Sequence, residues 1–160
     1  MSNNLSLLHP PDWSAHQDLW ERAIEIVNGP WPDFPPCFIH RDYHPMNMLF
    51  QADHLCGVID WANACVGPAG IDVAWCRHNL VGMYGVEVSD RFLVHCQSAM
   101  KEYWTYHPFW NLIILVELLP GPPDVYPPWL DFGLPHLTDA LVTERDERYL
   151  ASLLERYDRL

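Results

Sequence analysis

The sequence predicts a mainly α protein of the α+β class: a helical domain carrying a small β-hairpin beside an active loop. Two observations predict it. Apolar residues recur at helical spacing in several segments bounded by Gly, Pro or capping residues. Between the first of these and the rest, two short apolar runs, Met48-Leu49-Phe50 and Cys56-Gly57-Val58-Ile59, flank the turn-rich Gln51–His54, the pattern of a hairpin. At 160 residues the chain is long enough for one domain with a real core, and 49% hydrophobic residues with 13% aromatics exclude a disordered chain.

Residues 1–13 read as an irregular lead-in. Ser14 and Gln17 have the spacing of a capping box for a first helix, whose core face is Leu19, Trp20, Ala23, Ile24 and Val27. Gly29-Pro30 stops it, and the Pro-rich residues 31–36 form an extended connector. Cys37-Phe38-Ile39 is a short apolar run leading into a polar loop at His40. After the hairpin, Gly67-Pro68-Ala69-Gly70 breaks the chain, and a helix follows from about Ile71 to Tyr84, ended by Gly85. Ser89 is the expected cap of another helix running to about Tyr103, and His107-Pro108 opens a third that ends at Pro120. Residues 120–136 are Pro-rich and read mainly as loop. The last helix starts at about Thr138 or Thr143. Its stripe is Tyr149, Leu150, Leu153, Leu154 and Tyr157, with Glu144/Arg148 and Glu155/Arg159 as i,i+4 pairs.

The net charge is −12 with only nine Lys and Arg, so a nucleic-acid binder, which needs a basic face, is disfavoured. An acidic surface serves either general solubility or the attraction of a cationic substrate. Five cysteines, odd in number and without a C-x-x-C pair, read as reduced packed thiols of a cytoplasmic protein rather than a disulfide or zinc framework. No apolar run is long enough to span a bilayer, and the N-terminus lacks the features of a signal peptide.

The chemistry is concentrated in His40-Arg41-Asp42-Tyr43-His44-Pro45-Met46-Asn47, followed 18 residues after Asp42 by Asp60 at the end of an apolar strand. Phosphoryl transfer to a hydroxyl uses a carboxylate within reach of that hydroxyl, and oxygen ligands for magnesium. Asp42 suits the first role; Asn47 and Asp60 suit the second. Asp131-Phe132-Gly133 spells a kinase magnesium triplet but lies in the Pro-rich loop with no hairpin before it, so Asp60 is read as the metal residue. His44 is a candidate substrate or phosphate contact, or a turn residue. Asp124, Tyr126 and Asp131 are candidates for lining an acceptor pocket, while His78, His95 and His107 read as packing or surface residues.

Residues 37–85 resemble the aminoglycoside phosphotransferase family, which includes choline-kinase-like enzymes. The shared pattern is His40-Arg41-Asp42, Asn47, Ile59-Asp60-Trp61, Gly67-Pro68 and Asp72-Val73-Ala74, in that order. The family often has Gly where this chain has Arg41 and Met46. The resemblance implies the helical C-terminal lobe of the kinase-like fold over the whole chain, with a catalytic core at 37–85 and a helical part at 86–160. It implies Asp42 as catalytic base, Asn47 and Asp60 as Mg²⁺ ligands, Asp72 as an acid bracing the loop and His40 as a brace within it. It also implies ATP as co-substrate and a small hydroxyl acceptor such as an aminoglycoside. No G-x-G-x-x-G motif precedes His40, and the sole lysine, Lys101, follows it. The nucleotide-covering lobe is therefore expected to be absent from this chain. The expectations that follow are an incomplete kinase working with a homo-oligomeric or other partner chain, a non-catalytic remnant that binds or associates, or a metal-dependent phosphatase.

Overall fold

The computed structural model describes residues 8–100, 104–119 and 121–160. Among these residues the chain is mainly helical, with six helices and two small antiparallel sheets. The expected helix end at Tyr103, the residue Lys101, the stop at Pro120 and most of the expected lead-in lie outside the described residues.

The centre of the core is α4 (Phe109–Glu117). Its Leu112 to Val116 run is apolar on every side, so it is stable only when enclosed, and all five residues are buried. Around it pack α1 (Gln17–Asn28), α2 (Ala69–Tyr84) and α6 (Asp139–Tyr157). From α1 come Trp20, Ala23, Ile24 and Val27, as the spacing predicts, together with Ile26. From α6 come Tyr149, Leu150, Leu153 and Leu154. The Oγ1 of Thr138 accepts from the Leu141 N–H, which settles the start of α6 at the earlier of the two threonines. Glu155 and Arg159 pair at 3.3 Å, but Arg148 reaches across to Glu87 rather than to Glu144.

Several local expectations are corrected. Ser14 and Gln17 do not form a capping box: α1 begins at Gln17, the Ser14 hydroxyl donates to Glu147, and the Gln17 amide folds back onto the Pro11 and Ser14 carbonyls. The Ser14 hydroxyl still accepts the His16 N–H at 3.0 Å, but this closes a local turn ahead of the helix, and its charge-assisted bond goes to Glu147. Ser89 is likewise no cap. Helix α3 (Val86–Met100) starts directly after Gly85, whose φ of +91° ends α2, and Ser89 is buried in its first turn with its hydroxyl on Arg77. Within the Pro-rich loop, α5 (Pro128–Asp131) forms one short turn that buries Trp129.

The hairpin is present as β2 (Met48–Gln51) and β3 (His54–Val58). The apolar run before the loop is β1 (Pro36–Ile39), and it pairs with β4 (Cys65–Pro68), a strand the Gly/Pro content concealed. Gly67 sits opposite Cys37, where a Cβ would press on the Ile39 side chain. The β1–β4 pair thus carries the loop entry directly into the N-terminus of α2.

Candidate active site

Loop 40–47 runs from β1 to β2, and its shape is imposed from two sides. From α2, the Asp72 carboxylate accepts the His40 N–H at 2.8 Å on Oδ2 and the Arg41 N–H at 2.8 Å on Oδ1. From the hairpin side, the buried His40 ring joins two segments: its Nε2 lies 2.7 Å from the Ile59 carbonyl and its Nδ1 accepts the Asp42 N–H at 3.3 Å. That pattern requires the Nε2–H tautomer of a neutral imidazole. A further bond, Ile59 N–H to the Asn47 carbonyl at 2.9 Å, ties the loop exit to the strand leading to Asp60.

Two residues of this region lie in the left-handed region without being glycine: Arg41, with φ of 66°, and Asp60, with φ of 62° and ψ of 57°. Each such residue costs on the order of 1–3 kcal/mol and persists only where its surroundings enforce it. For Arg41 the enforcing contact is the Asp72 carboxylate on its N–H.

Within this frame Asp42, His44 and Asn47 come together. Asn47 is buried; its Nδ2 donates to the Asp42 carbonyl at 2.9 Å and to Asp42 Oδ2 at 3.2 Å. His44 Nε2 stands 3.3 Å from Asp42 Oδ1 and 3.3 Å from Asn47 Nδ2. Burial holds the His44 pKa below its ordinary value; the Asp42 and Asp60 charges oppose that pull and His40 adds to it. His44 is therefore a neutral imidazole beside a carboxylate that remains partly open to solvent. Asp60 is exposed at the end of the hairpin, one residue beyond Ile59. Among the described residues no cluster of three or more His, Cys, Asp or Glu side chains has a metal-binding arrangement.

A cavity of about 410 Å³ opens beside Asp42 and His44, within the size range of small-molecule sites. Asp124 and Tyr126 of the Pro-rich loop line it; Asp131 does not and is exposed. In α5 the chain turns so that Trp129 faces inward, which leaves its neighbour Asp131 outside. The loop is pinned over the cavity by Asp139, which accepts the Val125 N–H at 2.9 Å. Trp129 also seats on α2: its Nε1 lies 3.3 Å from Asn79 Oδ1, and its ring occupies the space where a Cβ on Gly82 would stand.

Sequence reasoning missed much of this wall: Trp13, Trp20, Trp75, Asn79 and Asp146, along with His78, which is no bystander. His78 Nε2 lies 3.3 Å from Asp146 Oδ2 on the cavity lining. One signal was available. Asp146 interrupts the otherwise apolar inner face of α6 and is 3% exposed, whereas a carboxylate is almost never buried without a reason.

The chain is similar in sequence to known proteins. A homoserine kinase from Zymomonas mobilis is 33% identical over 97 residues, which is 56% of this chain and 28% of that protein. One from Methylocella silvestris is 41% identical over 54 residues, 33% of this chain and 17% of that protein. The chain thus spans less than a third of the length of these curated relatives. No solved structure matches it. The model of the phosphotransferase enzyme family matches residues 2–103, and the chain belongs to that family.

Proposed function

We propose that this member of the phosphotransferase family acts as a kinase that passes the γ-phosphoryl of ATP to a hydroxyl of a small molecule. The observation that carries the reading is the Asp42–His44–Asn47 cluster, clamped by Asp72 and His40 and opening onto the cavity. Asp42 is the base that orients and deprotonates the acceptor hydroxyl. Asn47 and His44 fix its two carboxylate oxygens, which keeps one orientation without neutralising the charge. Asp72 and His40 are positioning residues that act through the backbone of the loop.

Asn47 and Asp60 suit Mg²⁺. The Asn47 amide nitrogen is committed to Asp42, so its carbonyl oxygen is the atom left to act as a ligand, and Asp60 offers an exposed carboxylate. Both are hard oxygen donors. When bound, the ion neutralises the charge of the nucleotide phosphates. The homoserine kinase relatives make L-homoserine the first acceptor to test. A hydroxylated aminoglycoside, with an antibiotic-resistance role, is the second.

The exposed apolar face beside the loop supports a covering partner, either a second copy or a nucleotide-covering element on another chain. Phe38 and Val66 are 68% and 72% exposed, and the Phe38 and Trp61 rings stack at 5.6 Å. That face also supports a second reading, a non-catalytic lobe that works by association. Among the described residues no helix is long and apolar enough to cross a membrane, and a cytoplasmic setting suits the five free thiols.

The test is calorimetric titration with ATP and Mg²⁺, with Asp60→Ala as control and turnover of acceptors measured alongside. Binding lost in Asp60→Ala, with turnover reduced about 10²–10⁴-fold in a folded Asp42→Asn protein, is the expected result. Full turnover in Asp42→Asn would remove the assignment. A folded protein that binds no nucleotide but associates in light scattering would favour the second reading.

A further inference from the structure

The two ring nitrogens of His78 stand in different surroundings. Nε2 lies 3.3 Å from Asp146 Oδ2, across the contact between α2 and α6. Asp146 is buried on the inner face of α6, and among the described residues this is the one bond its carboxylate makes. A carboxylate oxygen only accepts, so Nε2 carries the hydrogen and the neutral ring keeps its lone pair on Nδ1. Nδ1 has no hydrogen-bond partner among the described residues. It is not one of their buried unpartnered atoms either, so it is accessible, and the residue lies on the wall of the cavity that Asp42 also lines. Neighbouring polar groups differ. Asn79, the next residue on α2, spends its Nδ2 on the Trp75 carbonyl and its Oδ1 on the Trp129 indole. His44 turns Nε2 to Asp42 and Asn47 and buries Nδ1. His40, which braces the loop, is spent at both nitrogens. His78 alone of these three histidines is held at one nitrogen by a buried acid and offers the other to the cavity.

We propose that His78 contacts the acceptor: its Nδ1 accepts a hydrogen bond from a hydroxyl or amine N–H other than the hydroxyl that Asp42 meets. Asp146 is a positioning residue that acts through His78, by fixing which nitrogen carries the hydrogen and which way the ring faces. The proposal rests on the phosphotransfer reading, because it concerns the acceptor in the same cavity. The group that His78 holds does not react, so the contact stabilises the bound ground state and the transition state alike. It lowers KM and leaves kcat unchanged. A compound with a single hydroxyl cannot answer Asp42 and His78 together, so the two residues select acceptors with a second donor.

The test is NMR of the imidazole nitrogens in the full chain at pH 8.5, without nucleotide, before and after adding L-homoserine or kanamycin, each of which carries several donors. The free wild type should show His78 with its hydrogen on Nε2 and a bare Nδ1. At least one probe should move the Nδ1 resonance toward its hydrogen-bonded position. A hydrogen on Nδ1 in the free protein overturns the proposal, as does an Nδ1 that neither probe moves, and neither result depends on a variant folding. His78→Phe, which keeps a ring and removes the acceptor, should weaken binding of that probe about tenfold, the worth of one hydrogen bond. His78→Asn, which keeps an acceptor oxygen, should weaken it less. Asp146→Asn should give a mixture of the two His78 tautomers and an intermediate affinity. Equal affinity in wild type and a folded His78→Phe protein overturns the contact. Phosphoryl transfer from ATP, assayed in parallel, separates this proposal from the reading beneath it. A His78 contact without transfer to either probe keeps the contact and removes the kinase. Transfer with an unchanged KM in His78→Phe keeps the kinase and removes the contact.

Discussion

Two buried polar clusters meet α2, one through Arg77 and one through His78, and they are built on opposite terms. Around Arg77, which is fully buried, every guanidinium nitrogen has a partner: Asp90 at 2.6 Å, Ser89 Oγ at 3.1 Å, Tyr106 OH at 3.0 Å and Asn111 Oδ1 at 3.1 Å. Asp90 is held from the other side by Arg156 at 2.6 Å, and Tyr149 OH donates to the same Asn111 oxygen. The Tyr106 and Tyr149 rings stack on the guanidinium at 5.5 and 5.1 Å. The cavity wall around Asp146, Trp13, Trp20 and His44 leaves a polar atom unanswered on each residue. A closed network joins α2, α3, α4 and α6 and serves the fold. The second is only partly paired, with the Asp146 Oδ2 near His78 and its Oδ1 without a partner.

The largest expected effect breaks the closed cluster. Arg77→Met strips Asp90, Tyr106 and Asn111 of their shared partner and should lower stability by about 3–5 kcal/mol, read from urea unfolding. The contrasting variant is Asp146→Asn. It removes a buried carboxylate with one oxygen unpartnered, so stability should hold or rise by up to about 1 kcal/mol. If both variants lost stability equally, the distinction between the clusters would fail.

Next comes the Asp72 clamp on the loop at His40 and Arg41. Asp72→Asn keeps one acceptor oxygen but turns an amide N–H toward a backbone N–H. The expected cost is about 1–3 kcal/mol of stability. Because Arg41 then loses the contact that enforces its positive φ, turnover should drop by up to about 10²-fold with acceptor affinity little changed. Steady-state kinetics separates these, since a merely structural defect would not spare affinity.

The smallest effect is on pH. The His44 pKa is lowered in the folded protein by burial, so below its ordinary value of 6.5 the unfolded chain takes up the proton first. Stability from this group is complete above 6.5 and is lost as pH falls through the lowered folded-state value. His107 is shifted the same way by burial and adds the same sign. The slope for one proton is at most about 1.4 kcal/mol per pH unit. Urea midpoints between pH 7.5 and 5 should fall, and His44→Asn should reduce that fall; an unchanged slope would mean His44 is not the group responsible.

The sequence by itself determined the helices with a clear apolar stripe, the hairpin and the residues of the loop. Each of these is a local pattern: spacing of apolar side chains, a turn between β-rich runs, or a motif eight residues long. The same reasoning failed wherever a partner came from far along the chain. The Ser14 hydroxyl donates to Glu147, 133 residues away, and the Ser89 hydroxyl is held by Arg77, while β4 became a strand only because β1 lay beside it. The two polar clusters belong to this second class. That Arg77 is fully answered and Asp146 is not depends on which side chains α3, α4 and α6 bring to α2. Long-range packing decides the environment of a buried charge, and the environment decides how fully that charge is paired.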